Sequence, residues 1–331
     1  MPIDAGHPAL ECGARNFHHE EAEMSCTPTA SAGRRRARLA LAACGAAAAL
    51  TAGALAPASA ASQSAPRPRA EHYAALGDSF TSGPFIPVQD GSWCARSNSN
   101  YPSLTAHSLT PESFRDISCG SATTNDMWRP QPGMDNPAQL DALKENTTLV
   151  SLGIGGNDIG FGEIIKNCTY ALRPIPDGNP CERRYTAGGV DELEERILQT
   201  APKVADVLKE IHERSRNARV LVVGYPAFLS EKSEDAEGCK TSLRMPVGDI
   251  PYLRDTMRSL NTMLSHEAKA AGATYVDTYT PTVGHDACQP RNDRWVEGMV
   301  PVNPLQAMAF HPNAKGEAGM AEAVRDTLSR G

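Results

Sequence analysis

The chain has 331 residues, 32 Lys+Arg against 39 Asp+Glu, and a formal charge of −7. Hydrophobic residues make up 40%, charged residues 21% and aromatic residues 5%, which excludes a disordered chain, a collagen repeat and a coiled coil. No basic excess exists to neutralise phosphates along a strand, so nucleic acid is not an expected partner.

Residues 1–60 read as a leader and signal peptide that are removed. Arg34, Arg35, Arg36 and Arg38 form a basic cluster, residues 39–56 are apolar and Ala-rich, and Ala58-Ser59-Ala60 is a small-x-small cleavage site. Residues 1–23 are a charged stretch ahead of Met24. The cleavage site directly follows the apolar run, so no stable membrane insertion is expected after processing, and the mature protein is expected outside the cell. Cys94, Cys119, Cys168, Cys181, Cys239 and Cys288 remain after cleavage. An even number in an exported chain reads as three disulfides, though spacing alone does not choose the pairing. No C-x-x-C occurs and no His/Cys cluster has zinc spacing, so neither metal nor cofactor is expected.

Residues 61–70 are a Pro/Ser-rich flexible linker, and residues 71–331 form one domain. A buried strand is predicted over 72–76, ending at Gly77, followed by a Gly/Pro/Ser/Asn-rich loop over 82–100. Further strands are predicted over 114–118, 147–152, 219–223 and 273–278. Helical periodicity covers 190–214, 252–271 and 313–329, with Asn313 as the N-cap of the last. Strands alternating with helices predict an α/β domain, a five-stranded parallel sheet covered on both faces. Such sheets bind ligands at the carboxyl ends of their strands.

Three short motifs fall at that edge. Ser79 lies in Gly77-Asp78-Ser79-Phe80 after the first strand. Gly155-Gly156-Asn157-Asp158 follows the third, where Asn157 offers an amide to a developing oxyanion. His311, in Phe310-His311-Pro312-Asn313, precedes the last helix and offers an imidazole to take a serine proton. The Gly-x-Ser-x-Gly elbow of α/β-hydrolases is absent.

With these motifs in this order, the chain from Tyr73 onward resembles the SGNH, or GDSL, hydrolases. Cys94-Ala95-Arg96-Ser97, Asn100-Tyr101-Pro102 and Gly284-His285-Asp286-Ala287-Cys288 make it similar to the secreted actinobacterial lipases and esterases of that family. The resemblance implies a three-layer α/β/α, flavodoxin-like fold. It also implies hydrolysis of a lipid or small-molecule carboxylic ester through an acyl-Ser79 intermediate, by a monomer without a cofactor. Alternatives within the family are a phospholipase A1 and a polysaccharide or polymer deacetylase. A catalytically silent surface-binding protein is the alternative outside enzymes.

The same resemblance makes Ser79 the nucleophile and His311 its base. The oxyanion hole is expected from the Ser79 N–H, the Asn157 side chain and one backbone N–H of the second motif. Aligned on Ala122-Thr123-Thr124, the family's glycine position falls on Ser121, with Gly120 one residue earlier, so the third donor is one of these two. Many members carry Asp three residues before the histidine. Met308 stands there instead, and a Ser–His dyad oriented by the Met308 carbonyl is expected. The narrower resemblance implies the pairing Cys94–Cys119, Cys168–Cys181 and Cys239–Cys288. His285-Asp286, beside Cys288, reads as loop structure.

Overall fold

Five short apolar runs form a parallel sheet: β1 (His72–Gly77), β2 (Ser113–Asp116), β3 (Leu149–Gly153), β4 (Arg219–Val223) and β5 (Thr274–Val276), in the order β2-β1-β3-β4-β5. The computed structural model describes residues 71–330; the expected leader, signal peptide and linker lie outside these residues. The central strands β1, beyond His72, and β3 are buried, as a sheet covered on both faces requires.

Successive side chains of each strand enter different layers. Ala74, Leu76, Val150, Leu152, Val220 and Val222 meet one set of helices, and Tyr73, Ala75, Leu149, Leu221 and Val223 meet the other. The first layer contains α5 (Glu192–Arg214) and α7 (Ile250–Ala270). Leu193, Ile197, Val204, Leu208 and Ile211 of α5 are buried at helical spacing. Asp191 caps α5 by accepting the N–H groups of Leu193 and Glu194, with acidic residues in its first turn and His212 and Arg214 in its last. The second layer pairs α2 (Tyr101–Leu109) with α8 (Ala314–Arg330), where Met320, Ala321 and Val324 are buried. Asn313 accepts from the N–H groups of Lys315 and Gly316 and so opens α8.

Short helices also occur where no element was predicted: α1 (Ser79–Ser82), α3 (Phe161–Cys168), α4 (Pro180–Tyr185) and α6 (Ala236–Leu243). Each is too brief to display a helical stripe. Disulfides join Cys94 to Cys119, Cys168 to Cys181 and Cys239 to Cys288. Among the described residues no helix is long and apolar enough to cross a membrane.

The chain leaves β1 toward β2 on one side, then crosses to β3 on the other. This reversal opens a crevice at the carboxyl ends of β1 and β3, where Gly77 and Gly153 stand side by side in register. A Cβ on Gly77 would lie 2.2 Å from Thr81 Oγ1 and 2.6 Å from the Gly153 carbonyl. Only glycine lets the turn carrying Ser79 fold down this closely onto the sheet.

Candidate active site

Ser79 begins α1 directly after the β1 edge, capped by the Asp78 carboxylate, which accepts the Phe80 N–H at 2.9 Å. Two groups fix the turn. The Asp78 N–H donates to the Gly153 carbonyl at 3.0 Å. The fully buried Gln139 amide accepts the Gly77 N–H at 2.7 Å and donates to its carbonyl at 2.9 Å. Past the last β1–β2 pair at Ala75, Gln139 takes the Gly77 N–H and shares the Gly77 carbonyl with the Cys119 N–H.

His311 reaches the same point from the other end of the chain. Its Nε2 lies 2.8 Å from Ser79 Oγ, and its Nδ1 lies 2.8 Å from the carbonyl oxygen of Ala309. A carbonyl only accepts, so Nδ1 carries the proton and Nε2 presents its lone pair to the hydroxyl. This corrects the expectation of Met308. The Met308 carbonyl is occupied by the backbone N–H of His311 at 3.3 Å, and the reversal at Phe310 (φ 63°) brings the Ala309 carbonyl to the ring instead. Phe80 covers the imidazole with ring centroids 4.8 Å apart, and Phe161 approaches edge-on. Burial lowers the imidazole pKa to about 4, opposed by the Ala309 carbonyl. The imidazole is therefore neutral across a wide pH range.

The expected oxyanion donors surround the serine. Segment 117–119 continues beside β1, with the Cys119 N–H on the Gly77 carbonyl at 3.0 Å. A turn follows, closed from the Ala122 N–H to the Cys119 carbonyl at 3.1 Å. Ser121 is its third residue at φ 64°, the left-handed region that explains the family's glycine here. The Gly120 N–H is spent on the Cys94 carbonyl at 3.0 Å, which removes Gly120 from the two candidates. The Ser79 and Ser121 N–H groups have no acceptor among the described residues. Asn157 donates one amide hydrogen to the Ala122 carbonyl at 2.9 Å, leaving its second for a ligand. Asp158 accepts the Thr124 N–H at 3.0 Å and hydroxyl at 2.5 Å, tying the two loops together.

Tyr225, just past β4, was not singled out from the sequence. Its hydroxyl donates to Asp78 Oδ2 at 2.5 Å and accepts the Gly156 N–H at 2.7 Å, joining the Ser79 turn to the Asn157 loop. Burial raises the Asp78 pKa to about 7, opposed by the Tyr225 hydroxyl and the Phe80 N–H. Beside Ser79 and Asn157, the side chains of Ile159, Phe161, Met257 and Leu260 line a cavity of about 20 Å³, about the space of one water.

His285 and Asp286 stand outside this constellation. His285 stacks on Trp295 with centroids 4.3 Å apart, and buried Asp286 accepts the Cys288 N–H at 3.0 Å.

Residues 75–318 match the GDSL-like lipase/acylhydrolase family. The chain belongs to this family. It is 38% identical to Lipase 2 of Streptomyces coelicolor over 261 residues, covering 77% of this chain and 85% of that one. An esterase of Streptomyces scabiei is 29% identical, covering 76% of this chain and 84% of its own. Among solved structures, a phospholipase A1 from Streptomyces albidoflavus superposes with a TM-score of 0.63 at 26% identity, covering 78% of this chain and 99% of the other. An extracellular lipase from Streptomyces rimosus gives 0.62 at 26% identity, with the same coverage. The GDSL-family chain described here is thus a carboxylic ester hydrolase on an α/β fold, and the alternative of a silent surface-binding protein is set aside.

Proposed function

We propose that this GDSL-family enzyme cleaves lipid or small acyl esters by a Ser79–His311 dyad. His311 Nε2 takes the hydroxyl proton as Ser79 Oγ attacks the ester carbonyl. The tetrahedral oxyanion is held by the Ser79 N–H, the Ser121 N–H and the free amide hydrogen of Asn157. His311 then returns the proton to the departing alkoxide, leaving acyl-Ser79. A water attacks this acyl group with the same base, releasing acid and free enzyme. The observation that carries the reading is the 2.8 Å approach of His311 Nε2 to Ser79 Oγ, with Nδ1 committed to a carbonyl.

The protein is exported by its N-terminal signal segment and acts outside the cell as a monomer. Three disulfides support an oxidising location, and a solved relative that matches over 99% of its own chain is an extracellular lipase. The test is active-site labelling. A fluorophosphonate should modify Ser79 in the wild type and nothing in Ser79→Ala, while nitrophenyl-ester turnover falls on the order of 10⁴–10⁶. A Ser79→Ala protein retaining a tenth of the activity would place the nucleophile elsewhere.

A further inference from the structure

A second cavity, of about 560 Å³, lies beside the histidine segment. Ile86 enters its wall from the loop leaving α1, Arg291, Arg294 and Glu297 come from the loop after Cys288, and Ala307 and Lys315 flank His311 in sequence. The Glu297 N–H donates to the His311 carbonyl at 2.9 Å, so this wall and the base share one backbone hydrogen bond. Three cations face one carboxylate here, on a chain of formal charge −7.

Arg294 is the unusual member. At 9% exposure it is the only buried lysine or arginine among the described residues. Its Nε–H donates to the Gln289 carbonyl. Its Nη groups meet no acceptor and no ion-pair partner among the described residues. Glu297 supplies none: Oε1 accepts from Asn313 Nδ2 at 2.8 Å and Oε2 from the Val302 N–H at 2.9 Å. The Glu297 and Asp286 carboxylates offset part of its charge, and its planar fork, lining the cavity with the Nη groups unbonded, fits two oxygens of one anion. Lys315 donates to the Asn292 carbonyl at 2.7 Å and Arg291 to the Pro301 carbonyl at 3.0 Å, and each has further hydrogens to give. The positive end of α8 lies in the same wall.

We propose that this cavity binds a phosphate group, with Arg294 as the two-toothed contact and Arg291 and Lys315 as flanking cations. Two sources share that chemistry: the phosphodiester of a phospholipid whose ester lies at Ser79, and free inorganic phosphate. The first rests on the ester-hydrolase reading, and the second does not.

The experiment uses the full chain and the variants Arg291→Ala, Lys315→Ala and Arg294→Met. Inorganic phosphate is titrated against chloride at matched ionic strength, with melting temperature as the readout of binding. kcat/KM is measured on micelles of phosphatidylcholine and of diacylglycerol with the same acyl chains. Phosphate should raise the wild-type Tm, and each variant should lower the phosphatidylcholine-to-diacylglycerol kcat/KM ratio about tenfold. A phosphate-dependent Tm shift without the ratio change supports the site with free phosphate as its ligand. The ratio change without the Tm shift supports it with the phospholipid. Absence of both overturns the proposal. If Arg294→Met does not fold, the exposed Arg291 and Lys315 variants decide. A wild type inactive on both lipids overturns the hydrolase reading instead, and the phosphate titration still judges the cavity.

Discussion

The Nδ1 atom of His311 is held by the carbonyl of Ala309, two residues back along the same turn, at 2.8 Å. The acceptor that sets the tautomer is thus backbone. Side-chain changes at 308 and 309 leave it in place. Met308→Ala should therefore keep most of kcat. Asp286→Asn, Asp293→Asn and Glu297→Gln should each lose less than about tenfold, whereas removal of a true triad aspartate costs on the order of 10⁴. Steady-state kinetics on a nitrophenyl ester check this, and a thousandfold loss in any one would reveal a carboxylate partner.

The proposed oxyanion donors separate into backbone and side chain. Ser121→Gly retains the N–H and suits φ 64°, so kcat should stay within about threefold. Asn157→Ala removes the side-chain donor and should reduce kcat by roughly 10²–10³ with smaller change in KM.

Burial of His311 sets the acid limb of activity. The base works only when neutral, so kcat/KM should fall below pH about 4, well under the ordinary imidazole value near ~6.5. A limb at the ordinary value would mean that water reaches the ring in the free enzyme.

The same ring and Asp78 oppose one another in stability. His311 has its pKa depressed to about 4, so its contribution is intact above the unfolded value and is lost as pH falls toward 4. Asp78 is raised to about 7, so its contribution is present at acid pH and is lost as pH rises toward 7. The two offset each other between those limits. Asp78→Asn removes one side of the balance. The variant should be about 3 kcal/mol more stable relative to wild type at pH 7 than it is at pH 4. Urea denaturation at both pH values measures this difference.

Tyr225→Phe keeps the ring and deletes the hydroxyl between Asp78 and Gly156. Two buried groups lose a partner, so the variant should be destabilised by about 1–3 kcal/mol. Asn157 should lose its fixed position, and kcat should fall more than KM rises. Unchanged denaturation midpoint and kcat would show that the bridge contributes nothing.

Much of the site was legible because its parts are local. Gly-Asp-Ser after an apolar run and Gly-Gly-Asn-Asp after another announce strand ends, and the long helices α5, α7 and α8 display their apolar stripes. What escaped was tertiary. Gln139 lies in a stretch with no periodicity, and only the tertiary fold brings its amide to the Gly77 N–H. Tyr225 was findable in principle, since it sits where parallel sheets gather ligands, but nothing in Gly-Tyr-Pro says that its hydroxyl reaches two other strand ends. The choice of Ala309 over Met308 depends on a positive φ at Phe310, and Phe is a residue whose type predicts the opposite.

Ser79 and His311 touch across 232 positions of sequence. A ribosome therefore releases the nucleophile long before the base, and a growing chain is inert toward esters until α8 has been made and packed against α2. Catalysis is in that sense a proofreading signal for the whole domain. A chain truncated between Ser79 and His311 keeps the serine but lacks the imidazole beside it, so ester turnover reports chains made through that segment.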